Sequence, residues 1–154
     1  MQYKKILVPV DGSKNAELAV TKAVFTAKRN QAHLDIVSII QTSRFLDVYG
    51  HMGSNTDYLD ITYHRTQEYV EMLRDTIKEK YDFDDVSISV ESGNAGKIIA
   101  KLAPEELHSD LIMMGATGMN AMQRTMIGSV ADYVVRVANC DVLLIRTDLN
   151  NKLS

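Results

Sequence analysis

Leu111-Ile-Met-Met-Gly115-Ala-Thr-Gly118-Met-Asn-Ala-Met-Gln-Arg-Thr-Met-Ile-Gly128-Ser129-Val130 is the stretch on which the fold turns. A short apolar run ends in glycine. Two residues separate the first two glycines, nine separate the second from the third, and a serine follows. Val130, Val134 and Val137 then recur at helical spacing. The reading is a buried strand over Asp110–Met114, a loop over residues 115–127 and a helix over 129–139, entered through Gly128-Ser129. Such a junction makes an anion site. The first N–H groups of a helix lack intrahelical partners, the helix dipole favours negative charge there, and glycine lets a phosphate come close to the backbone.

The segments on either side extend the same alternation. Lys5 to Val10 is short and continuously apolar, as in a strand covered on both faces. Asp11-Gly12-Ser13 ends it, and Ser13 can cap the helix that follows. Ala16, Ala19, Val20, Ala23, Val24 and Ala27 keep helical spacing, and their small size lets that helix lie close to a sheet. Leu34 to Ile40 reads as a second buried strand. Residues 41–56, with Gly50, His51, Gly53, Ser54 and Asn55, read as a mobile loop. Residues 57–80 read as a helix with Tyr69, Val70, Leu73 and Ile77 on one face. Asp82 to Asp85 is an acidic turn, and Val86-Ser-Ile-Ser-Val90 alternates as a half-exposed edge strand does. After Gly93-Asn94, Lys97 to Ala103 is expected to form a short helix that Pro104 stops. Val142-Leu-Leu-Ile145 is the fifth strand, and the polar segment from Asp148 reads as frayed. The expectation is an α/β fold, a five-stranded parallel doubly wound sheet of order 3-2-1-4-5 with helices on both faces. Residues 1–147 would form one domain and 148–154 a polar tail.

Composition narrows the function. The chain has 154 residues, 45% hydrophobic and 24% charged, with a formal net charge of −3. A dedicated nucleic-acid binder usually carries a basic face, so none is expected. No run approaches the roughly 20 apolar residues of a membrane span, so no membrane partner is expected. The apolar run after Lys4-Lys5 is too short for a signal peptide. Cys140 is the single cysteine, which fits a reduced thiol in a cytoplasmic protein and a small buried core position.

Open parallel sheets bind ligands beyond the carboxyl ends of their strands, where the winding reverses. In the order 3-2-1-4-5 that point lies between strands one and four, so Asp11 and Gly115 face one crevice. The loop is neither a P-loop nor a dinucleotide fingerprint, because neither glycine spacing occurs. Ser129-Val-Ala-Asp132 has the form of a capping box, so the Ser129 hydroxyl can cap the helix, touch phosphate, or alternate. Asp11 can cap the first helix, or bind a sugar hydroxyl or a phosphate-bound cation through water. Arg124 is a solvated arginine or a clamp on a terminal phosphate. Met113 and Met114 read as strand core. Met119, Met122 and Met126 close the loop over the sheet or face a partner, with packing favoured. His33, His51, His64 and His108 show no ligand spacing, and Tyr58, Tyr63 and Tyr69 read as packing residues.

Gly115-x2-Gly118-x9-Gly128-Ser129 resembles the nucleotide-binding signature of the universal stress protein family, and Ile6-Leu-Val-Pro-Val-Asp11-Gly-Ser resembles that family's first strand. The resemblance covers roughly residues 2–147. It implies a five-stranded α/β fold, usually dimeric, whose members with this glycine pattern bind ATP. Carried across, Pro9, Val10 and Asp11 would line the adenosine end and Ile39 would touch adenine. Met114 and Gly115 would flank the ribose, and Gly118, Gly128, Ser129 and Val130 would hold the phosphates. Ala95 departs from the family, where many members place proline. The expected cofactor is ATP, with ADP or AMP as alternatives, together with a phosphate-bound divalent cation such as Mg²⁺. The apolar stretch 142–145 at a sheet edge points to a homodimer. The expected function is a nucleotide-dependent regulatory or binding module in the stress response. The alternative is a slow ATPase or nucleotidyl-transferring enzyme on the same fold. A phosphoacceptor receiver is excluded because its acidic pair and its lysine after strand five are missing.

Overall fold

The computed structural model describes residues 2–41, 56–118 and 126–152. β1 (Lys5–Val10), α1 (Lys14–Asn30) and β2 (His33–Ile40) come first, followed by α2 (Thr56–Tyr81) and β3 (Val86–Ser92). A helical run then passes through α3 (Ala95–Lys97), a π-helical segment (Ile98–Leu102) and α4 (Ala103–Leu107). The described order ends with β4 (Leu111–Gly115), α5 (Ser129–Val137) and β5 (Asp141–Ile145). All strand pairs are parallel, in the order β3-β2-β1-β4-β5 expected from the sequence.

β1 is the central strand, and its Ile6, Leu7 and Val8 are fully buried. Helices cover both faces, which leaves no position for a polar residue and explains the continuous apolar run. Successive side chains serve opposite layers. Ile6, Val8, Leu34, Ile36 and Met113 pack with α1 and α2, while Leu7, Val37, Ile112 and Met114 pack with α5 and the π segment. Ala19, Ala23 and Ala27 have no exposed surface, so α1 lies against the sheet on its small residues. Its start is fixed by Ser13, whose hydroxyl accepts the Ala16 N–H at 3.1 Å.

Four expectations are corrected. Pro104 does not stop the helix at Ala103. In the π segment the Ala103 N–H reaches back five residues to the Ile98 carbonyl. That wider turn relieves the clash between a proline ring and the carbonyl four residues earlier, and the helix runs on to Leu107. Tyr58 and Tyr63 are 44% and 47% exposed rather than packed. At 26 residues α2 is about 39 Å long, longer than the strands it crosses, and its buried residues among those described, Val70, Leu73 and Ile77, lie in its second half. Met126 is 63% exposed and does not close over the sheet. The segment from Asp148 is a turn: the Asp148 carboxylate accepts the Asn150 and Lys152 N–H groups at 2.9 and 2.8 Å. Lys22 of α1 donates to Thr147 and Asn151 at 2.9 and 3.3 Å, which ties this turn to the body. Cys140 is half-buried at the edge of the second core layer, and burial pushes its thiol up, helped by the charges of Asp110 and Asp141. No described helix is long and apolar enough to cross a membrane.

Candidate functional site

The winding reverses between β1 and β4, and the chain leaves each of these strands into a glycine-containing turn. The two turns meet. A Cβ added to Gly118 would lie 2.6 Å from Asp11 Oδ2, so the loop after β4 comes down directly on the carboxylate that follows β1. The other Asp11 oxygen accepts the Ser13 N–H at 3.0 Å, across a Gly12 held at φ 81°. Asp11 therefore braces the turn, and Ser13 is the residue that caps α1.

The three loop glycines differ in what demands them. At Gly115 an added Cβ would meet Asn15 Cβ at 2.9 Å and the Asn15 carbonyl carbon at 3.0 Å. Packing against the first turn of α1 excludes any side chain there. At Gly118 the obstacle is the Asp11 carboxylate. At Gly128 the backbone is ordinary, φ −65° and ψ 152°, and an added Cβ would find its nearest neighbour, the Ala116 carbonyl oxygen, at 3.5 Å. Nothing among the described residues requires glycine at 128.

Gly128 is the N-cap of α5 and no side chain caps this helix. The expected capping box is not made. The helix begins at Ser129, one position earlier than a capping serine there needs, because the extended Gly128 already offers its carbonyl to the Asp132 N–H at 2.8 Å. Asp132 pairs with Arg136 at 2.7 Å instead. Ser129 is exposed, and Val130 packs in part on the second core layer. The Gly128 N–H donates to the Ala116 carbonyl at 2.8 Å, which closes the end of the loop onto its beginning. The leading N–H groups of α5, at Ser129, Val130 and Ala131, have no carbonyl one turn back within their own helix.

The remaining expected residues line the same rim of the sheet. Pro9, Val10 and Met114 are buried at the ends of their strands. The Val10 carbonyl accepts the Ser38 hydroxyl at 3.0 Å. Ile39 is half-buried against the second core layer. Arg124 lies outside the described residues, as do Met119, Met122, His51 and most of the 41–56 loop. Ala95 is supported from the preceding residue: Asn94 accepts the Lys97 N–H at 3.0 Å and caps α3.

Sequence reasoning missed Asn15 and Thr117. The Asn15 amide donates to the Thr117 hydroxyl and, at 3.4 Å, to the Thr117 carbonyl, and so holds the glycine loop to α1. The two lie 102 positions apart, and no spacing signal connects them. Tyr69 of α2 reaches the back of the Asp11-Gly12 turn. Burial, then the charges of Glu17 and Asp11, push its phenol up to about 12. Among the described residues no group of three His, Cys, Asp or Glu side chains is placed to hold a metal ion.

The model of the universal stress protein family matches residues 2–146. The chain belongs to the universal stress protein family. A Staphylococcus aureus protein assigned to the same family is 38% identical over 149 residues, covering 95% of this chain and 86% of its own length. Among solved structures, the universal stress protein UspA from Lactobacillus plantarum superposes with a TM-score of 0.78 at 29% identity, covering 95% of this chain and 99% of the other. A universal stress protein from Archaeoglobus fulgidus, solved in complex with dAMP, superposes at 0.64 with 21% identity over 94% and 99% of the two chains. At that identity the second superposition speaks for the fold alone. The glycine loop, the Asp11 turn and the open start of α5 thus sit on a universal stress protein scaffold.

Proposed function

We propose that this chain is a cytoplasmic ATP-binding module that couples nucleotide occupancy to a regulatory interaction in the stress response. The observation that carries the reading is Gly128. Among the described residues, sterics explain the glycines at 115 and 118 but leave the third unexplained, at the start of a helix that no described side chain caps. A phosphate seated on those groups requires the missing side chain. Ser129 would add its exposed hydroxyl, and Pro9, Val10, Asp11, Ile39, Met114 and Gly115 would line the nucleoside end. The dAMP held by the Archaeoglobus fulgidus relative supports an adenine nucleotide as the ligand class. Asp11 suits a Mg²⁺ carried in on phosphate, since that ion takes few protein carboxylates and keeps several waters. A homodimer through β5 fits the same reading: Leu143 on this edge strand is 45% exposed, with Phe25 (52%) and Leu149 (57%) lining the groove beside it.

The test is thermal unfolding with ATP, ADP and AMP, each with and without Mg²⁺. ATP at a hundredfold excess over its dissociation constant is expected to add about 2.7 kcal/mol of stability. No shift with any adenine nucleotide at millimolar concentration overturns the proposal.

A further inference from the structure

At the opposite end of the sheet from the crevice, His33 stands between two carboxylates. Its Nδ1 lies 2.6 Å from Asp85 Oδ1 and its Nε2 lies 3.2 Å from Asp35 Oδ1. Asp85 is exposed and immediately precedes β3, while Asp35 lies within β2 and is only 6% exposed. The second Asp35 oxygen, Oδ2, is buried without a hydrogen-bond partner. Lys5 on neighbouring β1 is the other charged group that acts on Asp35.

A neutral imidazole has one N–H to donate. With both ring nitrogens against carboxylate oxygens, the arrangement needs one proton more than a neutral ring and two carboxylates supply. That proton sits on the ring, as an imidazolium donating both ways, or on Asp35. Without it, one nitrogen turns a lone pair on a carboxylate. If that carboxylate is Asp35, a buried charge loses its hydrogen bond. We infer that His33, Asp35 and Asp85 form a proton-dependent clasp that fastens the edge strand β3 to β2 and loosens as the proton leaves.

The burial of Asp35 works in the same direction. Desolvation raises its carboxyl, against the opposing pull of His33 and Lys5. A group raised on folding contributes stability below its unfolded value and loses it as pH rises through the folded value. The clasp is therefore stronger in acid and weaker toward alkaline pH. β3 responds because it is an edge strand with a single sheet neighbour, β2, and the Asp85 carbonyl also accepts the Leu34 N–H at 3.0 Å beside the clasp.

The experiment is amide hydrogen exchange on the full chain between about pH 5.5 and pH 8, the range in which histidine commonly titrates, with protection corrected for intrinsic exchange. In wild type, protection of Ser87–Val90 is expected to fall from the acid to the alkaline end of this range. β1 and β4 are expected to stay constant. Asp35→Asn, which mimics the protonated acid, should hold β3 protected at both ends of the range, and His33→Gln should remove the pH response. Unchanged β3 protection in wild type, or the wild-type response persisting in both variants, overturns the clasp. A response shared equally by every strand assigns the effect to global stability and overturns it as well.

Discussion

At the residue scale, the three glycines of one motif do three different things. Gly115 is set by contact with Asn15, Gly118 by the Asp11 carboxylate, and Gly128 by nothing among the described residues. Gly115→Ala is therefore expected to lower stability by about 1–3 kcal/mol, the range for forcing atoms into a packed site, because the obstructing atoms include Asn15 backbone. Chemical denaturation of the purified variant checks this, and a midpoint within error of wild type would contradict the packing argument. The spacing pattern in the sequence marked all three glycines alike. Only the positions of Asn15 and Asp11, brought in from the other half of the chain, separate a glycine the fold needs from one it does not. Ser129 shows the converse limit. Its capping pattern has the right residue types, but the helix starts at Ser129 itself, because Gly128 takes the N-cap position.

At the scale of elements, alternation and periodicity were enough to place every described strand, because buried parallel strands and amphipathic helices write their environment into the sequence. The alternation in β3 marked it as an edge strand, but the apolar run of β5 lies at an edge as well, so the order itself was an expectation for a doubly wound sheet that the structure bears out. What the sequence did not expose were compensations. Pro104 reads as a stop, yet a π turn at Ile98–Leu102 absorbs it. The Asp148 turn is made by one carboxylate collecting two N–H groups. Edge strand β5 leaves Leu143 at 45% exposure while Leu144 packs on the second core layer. A dimer through this edge should thus depend on Leu143 more than on Leu144. Leu143→Lys is expected to give a monomer in sedimentation at concentrations where wild type is a dimer, since charge on an edge strand opposes pairing. Wild type sedimenting as a concentration-independent monomer would contradict the interface.

At the scale of the whole molecule, the proposed module would hold a nucleotide without turning it over rapidly. Among the described residues the crevice offers helix N–H groups, a hydroxyl and one carboxylate, which would stabilise bound phosphates in the ground state. Binding ground and transition states equally does not accelerate chemistry, and efficient phosphoryl transfer also needs an oriented water and charge stabilisation matched to the transition state. Phosphate release with Mg²⁺ is expected to run far below the roughly 10 s⁻¹ of a typical enzyme. A rate of several per second that disappears in Asp11→Asn would instead make this protein an enzyme and contradict the binding-module reading. The central claim is that an adenine nucleotide places its phosphates at the start of α5, where glycine is not needed for folding. Titration calorimetry of ATP into wild type and Gly128→Val tests this directly. The account predicts that the variant stays folded, losing no more than about 1 kcal/mol, while its affinity for ATP falls at least about thirtyfold, or about 2 kcal/mol. ATP binding to a folded Gly128→Val protein with wild-type affinity would contradict it.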